Sequence, residues 1–183
     1  PSRRGPERHL SHFCCRTSIV VLRLVPGFDD SAIAAMIRHS PSLRGIVLSL
    51  YGTGNGPSSK AGFLSIIEEA IARDILVVAA SQCTKGSVAL DTYEVGRQLL
   101  NLGVVSAGDM TKEAVVTKMA YLFGRDVRGA QLREAMASDL RGERTPMGTA
   151  GGGQLDKSAD GAACFESFLG AHRGDRRDWQ QQL

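Results

Sequence analysis

Three short polar stretches of this chain hold the residue types that could do chemistry. They are Gly52-Thr53-Gly54-Asn55-Gly56-Pro57, Ser81-Gln82-Cys83-Thr84-Lys85-Gly86-Ser87 and Ala107-Gly108-Asp109-Met110-Thr111. The first invites a phosphate, because backbone N–H groups at a helix start bind anions. Its spacing argues otherwise. A dinucleotide fingerprint needs G-x-G-x-x-G, and Pro57 stands where the third glycine belongs. The acidic residue expected at the end of the following strand is also missing, since that strand closes Ala79-Ala80-Ser81, and no G-x-x-x-x-G-K occurs. A tight strand-to-helix turn accounts for the glycines. Asn55 is itself a common turn residue.

The second stretch holds a cysteine near a helix start. A nucleophilic thiol needs a base held close by. The histidines are His9, His12, His39 and His172; three fall outside the expected core and His39 sits beside the turn at Pro41. Cys83 therefore reads as a small residue packed at a loop base. In the third stretch, Asp109 and Thr111 read as helix-capping groups. Vicinal Cys14-Cys15 and the distant Cys164 have no metal-ligand spacing, so neither a metal nor another cofactor is expected.

The elements that must position these loops follow from the apolar pattern. Ser18–Val25 is apolar on both faces, as in a strand buried in a parallel sheet, and stops at Pro26-Gly27. Asp29, Asp30 or Ser31 can cap a helix with Ile33, Met36 and Ile37 on one face, ending before Pro41. Gly45–Tyr51 is a second strand, followed by a helix over about 58–73 with Phe63, Leu64, Ile67, Ala70 and Ile71 inward. Ile75–Ala80 is a third strand and 91–102 a third helix. Val104-Val105 is a short fourth strand, and helices over about 111–123 and 126–140 complete the series. Strand and helix alternate at a spacing that needs crossover connections. The expected fold is α/β: a three-layer open sheet of about four parallel strands flanked by helices, a Rossmann-like or flavodoxin-like small domain. Its ligand sites should lie in the loops at the C-terminal ends of the strands.

Charge and composition narrow the partners. Residues 1–16 hold four Arg against one Glu, whereas residues 17–143 hold 13 basic and 13 acidic groups. The pI near 8.9 thus reports a basic arm over 1–17, not a basic domain. No nucleic-acid face is expected. No apolar run approaches the length of a membrane span, and four cysteines form no disulfide framework, which fits a reducing interior. After Glu143, Pro146 and Gly151-Gly152-Gly153 interrupt any period, and 147–183 is expected to be a low-order tail. The chain opens at Pro1 without an initiator Met, so it is expected to begin inside a longer open reading frame.

The order of short motifs goes further than spacing. Leu24-Val25-Pro26-Gly27 is followed by Tyr51-Gly52-Thr53-Gly54-Asn55-Gly56-Pro57, Ser81-Gln82-Cys83, Gly108-Asp109-Met110-Thr111, and Asp139-Leu140-Arg141-Gly142-Glu143-Arg144-Thr145-Pro146. This series resembles the smaller C-terminal domain of type I (cytoplasmic) L-asparaginases, over about 18–146. The resemblance implies hydrolysis of L-asparagine to L-aspartate and ammonia in the cytoplasm, by an activated Thr with a second Thr-Asp-Lys group. In that family these groups lie in the larger N-terminal domain, near motifs of the type T-G-G-T and H-G-T-D. Neither string occurs in this sequence. The 183 residues alone are therefore expected to be inactive.

What the resemblance implies for this half is a supporting role. Its glycine loop would reach a neighbouring subunit's active site, where Asn55, carried with Tyr51 and Gly54, would help position the head group of L-asparagine. Some bacterial members also bind asparagine at an allosteric site, which would map onto Ser81, Cys83 and Thr84. They place an Arg two residues before the Tyr, and Ser49 stands there, so the bidentate carboxylate clamp is missing. Expected partners are further copies of the chain or the absent N-terminal domain, which should leave an exposed apolar face. Two other readings stay open at this point: a non-enzymatic module binding an amino acid or a protein, and an independent α/β enzyme using the 81–87 loop.

Overall fold

Two near-continuous apolar runs set the centre of the molecule. In the computed structural model, which describes residues 17–56, 61–83 and 86–145, they form β2 (Gly45–Leu50) and β3 (Leu76–Ser81). Every residue of β2 is buried, and so is β3 up to Ala80, as strands covered on both faces require. β1 (Ile19–Arg23) and β4 (Val105–Ser106) flank them. All three pairings are parallel and the order is β1-β2-β3-β4. The register sets Arg23 beside Ser49, and Ser49 and Leu50 beside Ala80 and Ser81. The expected layered α/β fold is thus present.

Each connection steps one strand in the same direction. Right-handed crossovers then place α1 (Asp30–His39), α2 (Ala61–Ala72) and α3 (Glu94–Leu102) on one face. There Ile46, Leu48 and Leu50 meet Ile37, Phe63, Ile67 and Leu99, all fully buried. Phe28 and Phe63 stack edge to face at 5.6 Å. On the opposite face α4 (Lys112–Gly124) crosses β2 and β3, and α5 (Gly129–Ala137) packs beside α4 and β4. Gly45 lets α4 approach: a Cβ there would stand 2.5 Å from Met119 Cε.

Several boundaries differ from the sequence expectation, each for a visible reason. Asp29, of the three candidates, caps α1, its carboxylate accepting from Ser31 N at 2.9 Å. The third helix begins at Glu94, not 91, because Thr92 N turns back to Ala89 O. The fourth strand starts at Val105, not Val104, because Gly103 (φ 97°) ends α3 and Val104 N still bonds Leu99 O. The last helix covers Gly129–Ala137 and not 126–140, since Asp126 (φ 55°) and Gly129 (φ 58°) are left-handed. Ser138–Thr145 belongs to a second unit. Within it Glu143 accepts from Leu140 N and Arg141 N, and Asp139 from Gly142 N, a turn and not a helical end. The expectations for the 1–17 arm, apart from Thr17, and for the 147–183 tail lie outside the described residues. Among the described residues no helix is long and apolar enough to cross a membrane.

Candidate functional site: two loops at the strand ends

The loop after β2 folds on itself before the chain reaches α2. Tyr51 N donates to Asn55 O at 2.8 Å, and Asn55 N to Tyr51 O at 2.9 Å, an isolated antiparallel bridge. Gly52 (φ 52°) and Gly54 (φ 127°) supply the left-handed backbone this needs. Gly54 is buried because a Cβ there would meet Val88 Cγ1 at 3.3 Å and Leu90 Cδ2 at 3.4 Å. Tyr51 is half-buried and Asn55 exposed. The side-chain Oδ1 of Asn55 accepts from Gly56 N at 2.9 Å.

The end of β3 and the 88–90 segment hold this loop by two successive carbonyls. Ser81 Oγ donates to Gly52 O at 2.6 Å, and Ala89 N to Thr53 O at 2.8 Å. The 88–90 segment is in turn fixed to the end of β4. Val88 N donates to Gly108 O at 2.8 Å, and Ser106 Oγ to Val88 O at 2.6 Å. Gly96 lies against Leu90 so closely that a Cβ would stand 2.3 Å from Leu90 O. The three loops named from sequence therefore meet in one hydrogen-bonded tier. Asp109 is not the cap of α4; Thr111 is, accepting from Ala114 N at 3.2 Å. The backbone N–H of Glu113 itself, then Thr111, holds the Glu113 carboxyl below its usual range.

The loop after β3 uses its polar groups inside the fold. Ser81 lies at the end of the strand rather than in the loop; its hydroxyl donates to Gly52 O and accepts from Cys83 N at 3.0 Å. Gln82, whose side chain the sequence reading passed over, ties three strands: its N bonds Leu50 O, and its Nε2 bonds Leu24 O and Ser49 O at 2.6 and 2.9 Å. The signal available was a long amide side chain directly after a buried strand. Cys83 is exposed, not packed at a loop base, since Ser81 Oγ holds its backbone while the next strand end is already occupied by Gln82. Thr84 lies outside the described residues. Ser49 is 1% exposed, and its hydroxyl has no hydrogen-bond partner among the described residues. No group of three His, Cys, Asp or Glu that could hold a metal occurs among them either.

The domain as a whole has known counterparts. Residues 18–136 match the Glutaminase/Asparaginase C-terminal domain. L-asparaginase 1 of Escherichia coli is 35% identical over 146 residues, which cover 80% of this chain and 42% of that protein. The solved L-asparaginase of Thermococcus kodakarensis superposes with a TM-score of 0.62 at 39% identity, covering 70% of this chain and 38% of that one. L-asparaginase I of Vibrio cholerae gives 0.65 at 30% identity, covering 71% and 38%. The chain thus spans less than half the length of these relatives. On its sheet, its motif order and these matches, the chain belongs to the glutaminase/asparaginase family, as a C-terminal domain.

Proposed function

We propose that this chain is the C-terminal half of an L-asparaginase, converting L-asparagine to L-aspartate and ammonia once joined to a catalytic half. In that assembly Asn55 reaches the active site of a neighbouring subunit and positions the amino-acid head group. The carrying observation is the contrast within one loop: its backbone carbonyls Gly52 O and Thr53 O are bonded inward, while the Asn55 side chain is exposed. Tyr51 and Gly54 hold that geometry. An Asn suits the task because its amide offers both a donor and an acceptor.

Two further observations support a partner-dependent role. The strings T-G-G-T and H-G-T-D, which carry the nucleophile and its helpers in the family, are not in this sequence. Val21 and Val25 are 45% and 47% exposed on and just beyond edge strand β1, the kind of apolar surface that a second copy or a catalytic half would cover. An asparagine site at Ser81, Cys83 and Thr84 is the weaker part of the reading. Ser81 Oγ is engaged on both sides, and Ser49 replaces the carboxylate-binding Arg.

Ammonia release from L-asparagine tests the proposal. The 183-residue chain alone should give none, and mixing it with the remainder of E. coli L-asparaginase 1 should restore hydrolysis. Turnover by the isolated chain would refute the supporting role; an inert mixture would refute the asparaginase assignment.

A further inference from the structure

The sequence holds two asparagines, and the structure gives them opposite settings. Asn101 lies within α3 and is followed by Leu102. In a helix the next N–H points along the axis to a carbonyl of the preceding turn. Asn55 is followed by Gly56, whose N–H turns instead to the Asn55 side chain and donates to Oδ1 at 2.9 Å. No other acceptor holds that N–H among the described residues. The Gly56 nitrogen therefore lies beside Cγ, the carbon that carries Oδ1. A nucleophile held against a carbonyl carbon is the geometry from which acyl transfer starts.

The rest of the loop favours closure onto that carbon. Glycine sets no Cβ beside its own nitrogen. Gly56 is buried with its Cα backed by α3, since a Cβ there would stand 3.3 Å from Val95 Cγ1, and this keeps the nitrogen in place. The bridge to Tyr51 uses Asn55 N and O. Both lie outside the ring that Asn55 Cα, Cβ, Cγ and C would form with Gly56 N, so closure breaks neither bond. At the other end, Nδ2 has no partner among the described residues and sits on an exposed side chain, open to water.

We infer that Asn55-Gly56 is a site of spontaneous deamidation, a modification that the folded loop permits instead of blocking. A base takes the proton from Gly56 N, and the nitrogen attacks Cγ. The Cγ–Nδ2 bond breaks, and that nitrogen leaves with a proton as ammonia. The product is a succinimide, which water then opens. Attack at Cγ restores the main chain with aspartate at position 55. Attack at the main-chain carbonyl leaves isoaspartate, in which the chain runs through the side chain. In sum an amide becomes a carboxyl, water is consumed, ammonia is released, and nothing is oxidised or reduced. Either product puts a negative charge on the exposed part of the loop. Isoaspartate also takes the carbonyl that accepts from Tyr51 N out of the main chain. The reaction needs only this loop and water, so it proceeds whether or not the chain joins a catalytic half.

Ageing the 183-residue chain in mildly alkaline buffer tests this. Peptide mapping by mass spectrometry should find aspartate and isoaspartate at position 55, preceded by a succinimide that hydroxylamine traps, with Asn101 intact. Conversion should quicken as pH rises, because the attacking nitrogen must lose its proton. The same chain unfolded in urea gives the reference rate, since no fold holds the two groups there. Folded and unfolded rates should agree within about tenfold. A folded chain that converts more than about tenfold slower than the unfolded one would show that the loop protects Asn55, and would overturn the inference. Equal conversion at Asn55 and Asn101 in the folded chain, or none at Asn55 in either state, would overturn it as well.

Discussion

The loops after β2 and β3 leave neighbouring strands at the same end of the sheet, yet they distribute their polar groups in opposite ways. The 51–56 loop fixes its backbone and leaves the Thr53 and Asn55 side chains outside: Gly52 O, Thr53 O and both main-chain groups of Asn55 are bonded, while Thr53 and Asn55 are exposed. The 81–83 stretch turns its side chains into fasteners, with Ser81 on Gly52 and Gln82 on Leu24 and Ser49. Both contain residues that look chemical in a sequence. The difference lies in whether the donors and acceptors of the side chain are already satisfied within the fold. A group so satisfied works as a strut; a group left over on a rigid backbone can meet a ligand.

If the 88–90 segment is the anvil on which the glycine loop rests, disturbing that segment from behind should have the largest effect. Gly96→Ala does this without touching either loop. Its Cβ would stand 2.3 Å from Leu90 O and 2.9 Å from Leu90 C, backbone atoms that no side-chain rotation can relieve. Destabilisation of about 3 kcal/mol is expected, at the upper end for overpacking. Urea unfolding would measure it, and a cost near zero would mean that the segment yields freely. Removing the strut should do less. Ser81→Ala deletes the donor to Gly52 O and the acceptor of Cys83 N, for about 1 kcal/mol. Faster hydrogen exchange at Gly54 and Asn55 should accompany it, and Ser81→Thr should restore protection. If Ser81→Ala left those amides unchanged, the two loops would be mechanically independent.

How much of this was legible beforehand follows from range. The strands β2 and β3 were readable because full burial on both faces forces near-continuous apolar runs, and Gly45–Leu50, broken at Ser49 alone, and Leu76–Ala80 are such runs. The order of motifs around Asn55 singled it out as a candidate, and the fold leaves it exposed. The partners of Ser81 and Gln82 were not readable, since Gly52 and Leu24 lie 29 and 58 residues away and only the parallel register brings them near. The ends of α3 and α5 were missed for a local reason. Extended or left-handed residues such as Asp126 are compatible with a helical pattern of apolar residues and reveal themselves only in the backbone.

Ser49 sharpens the comparison with the opposite sign. It lies in β2 beneath both loops, its carbonyl bonded by Gln82 and its own hydroxyl buried without a partner among the described residues. Ser49→Ala should therefore leave stability unchanged or raise it by about 1 kcal/mol, since a desolvated, unanswered hydroxyl is removed. A loss instead would show that the hydroxyl is hydrogen-bonded in solution.

The smallest effect is expected far from either loop, at the ion pair between α1 and α2. Arg38 Nε and Nη2 both donate to the Glu69 carboxylate, the closest at 2.7 Å. That hydrogen bonding holds the Glu69 carboxyl below its usual range and raises the Arg38 guanidinium, while desolvation opposes both. A carboxylate with a depressed folded-state pKa contributes stability above its unfolded pKa, and loses it as pH falls through the folded value. Glu69→Gln should thus lower the melting temperature slightly at neutral pH and not at all in strong acid, with salt weakening the difference because both groups are partly exposed. Its hydrogen-exchange pattern at Gly54, Asn55 and Gly56 should match the wild type. A change there would mean that those amides follow global stability, and not the bonds from Ser81 and Ala89 that distinguish one loop from the other.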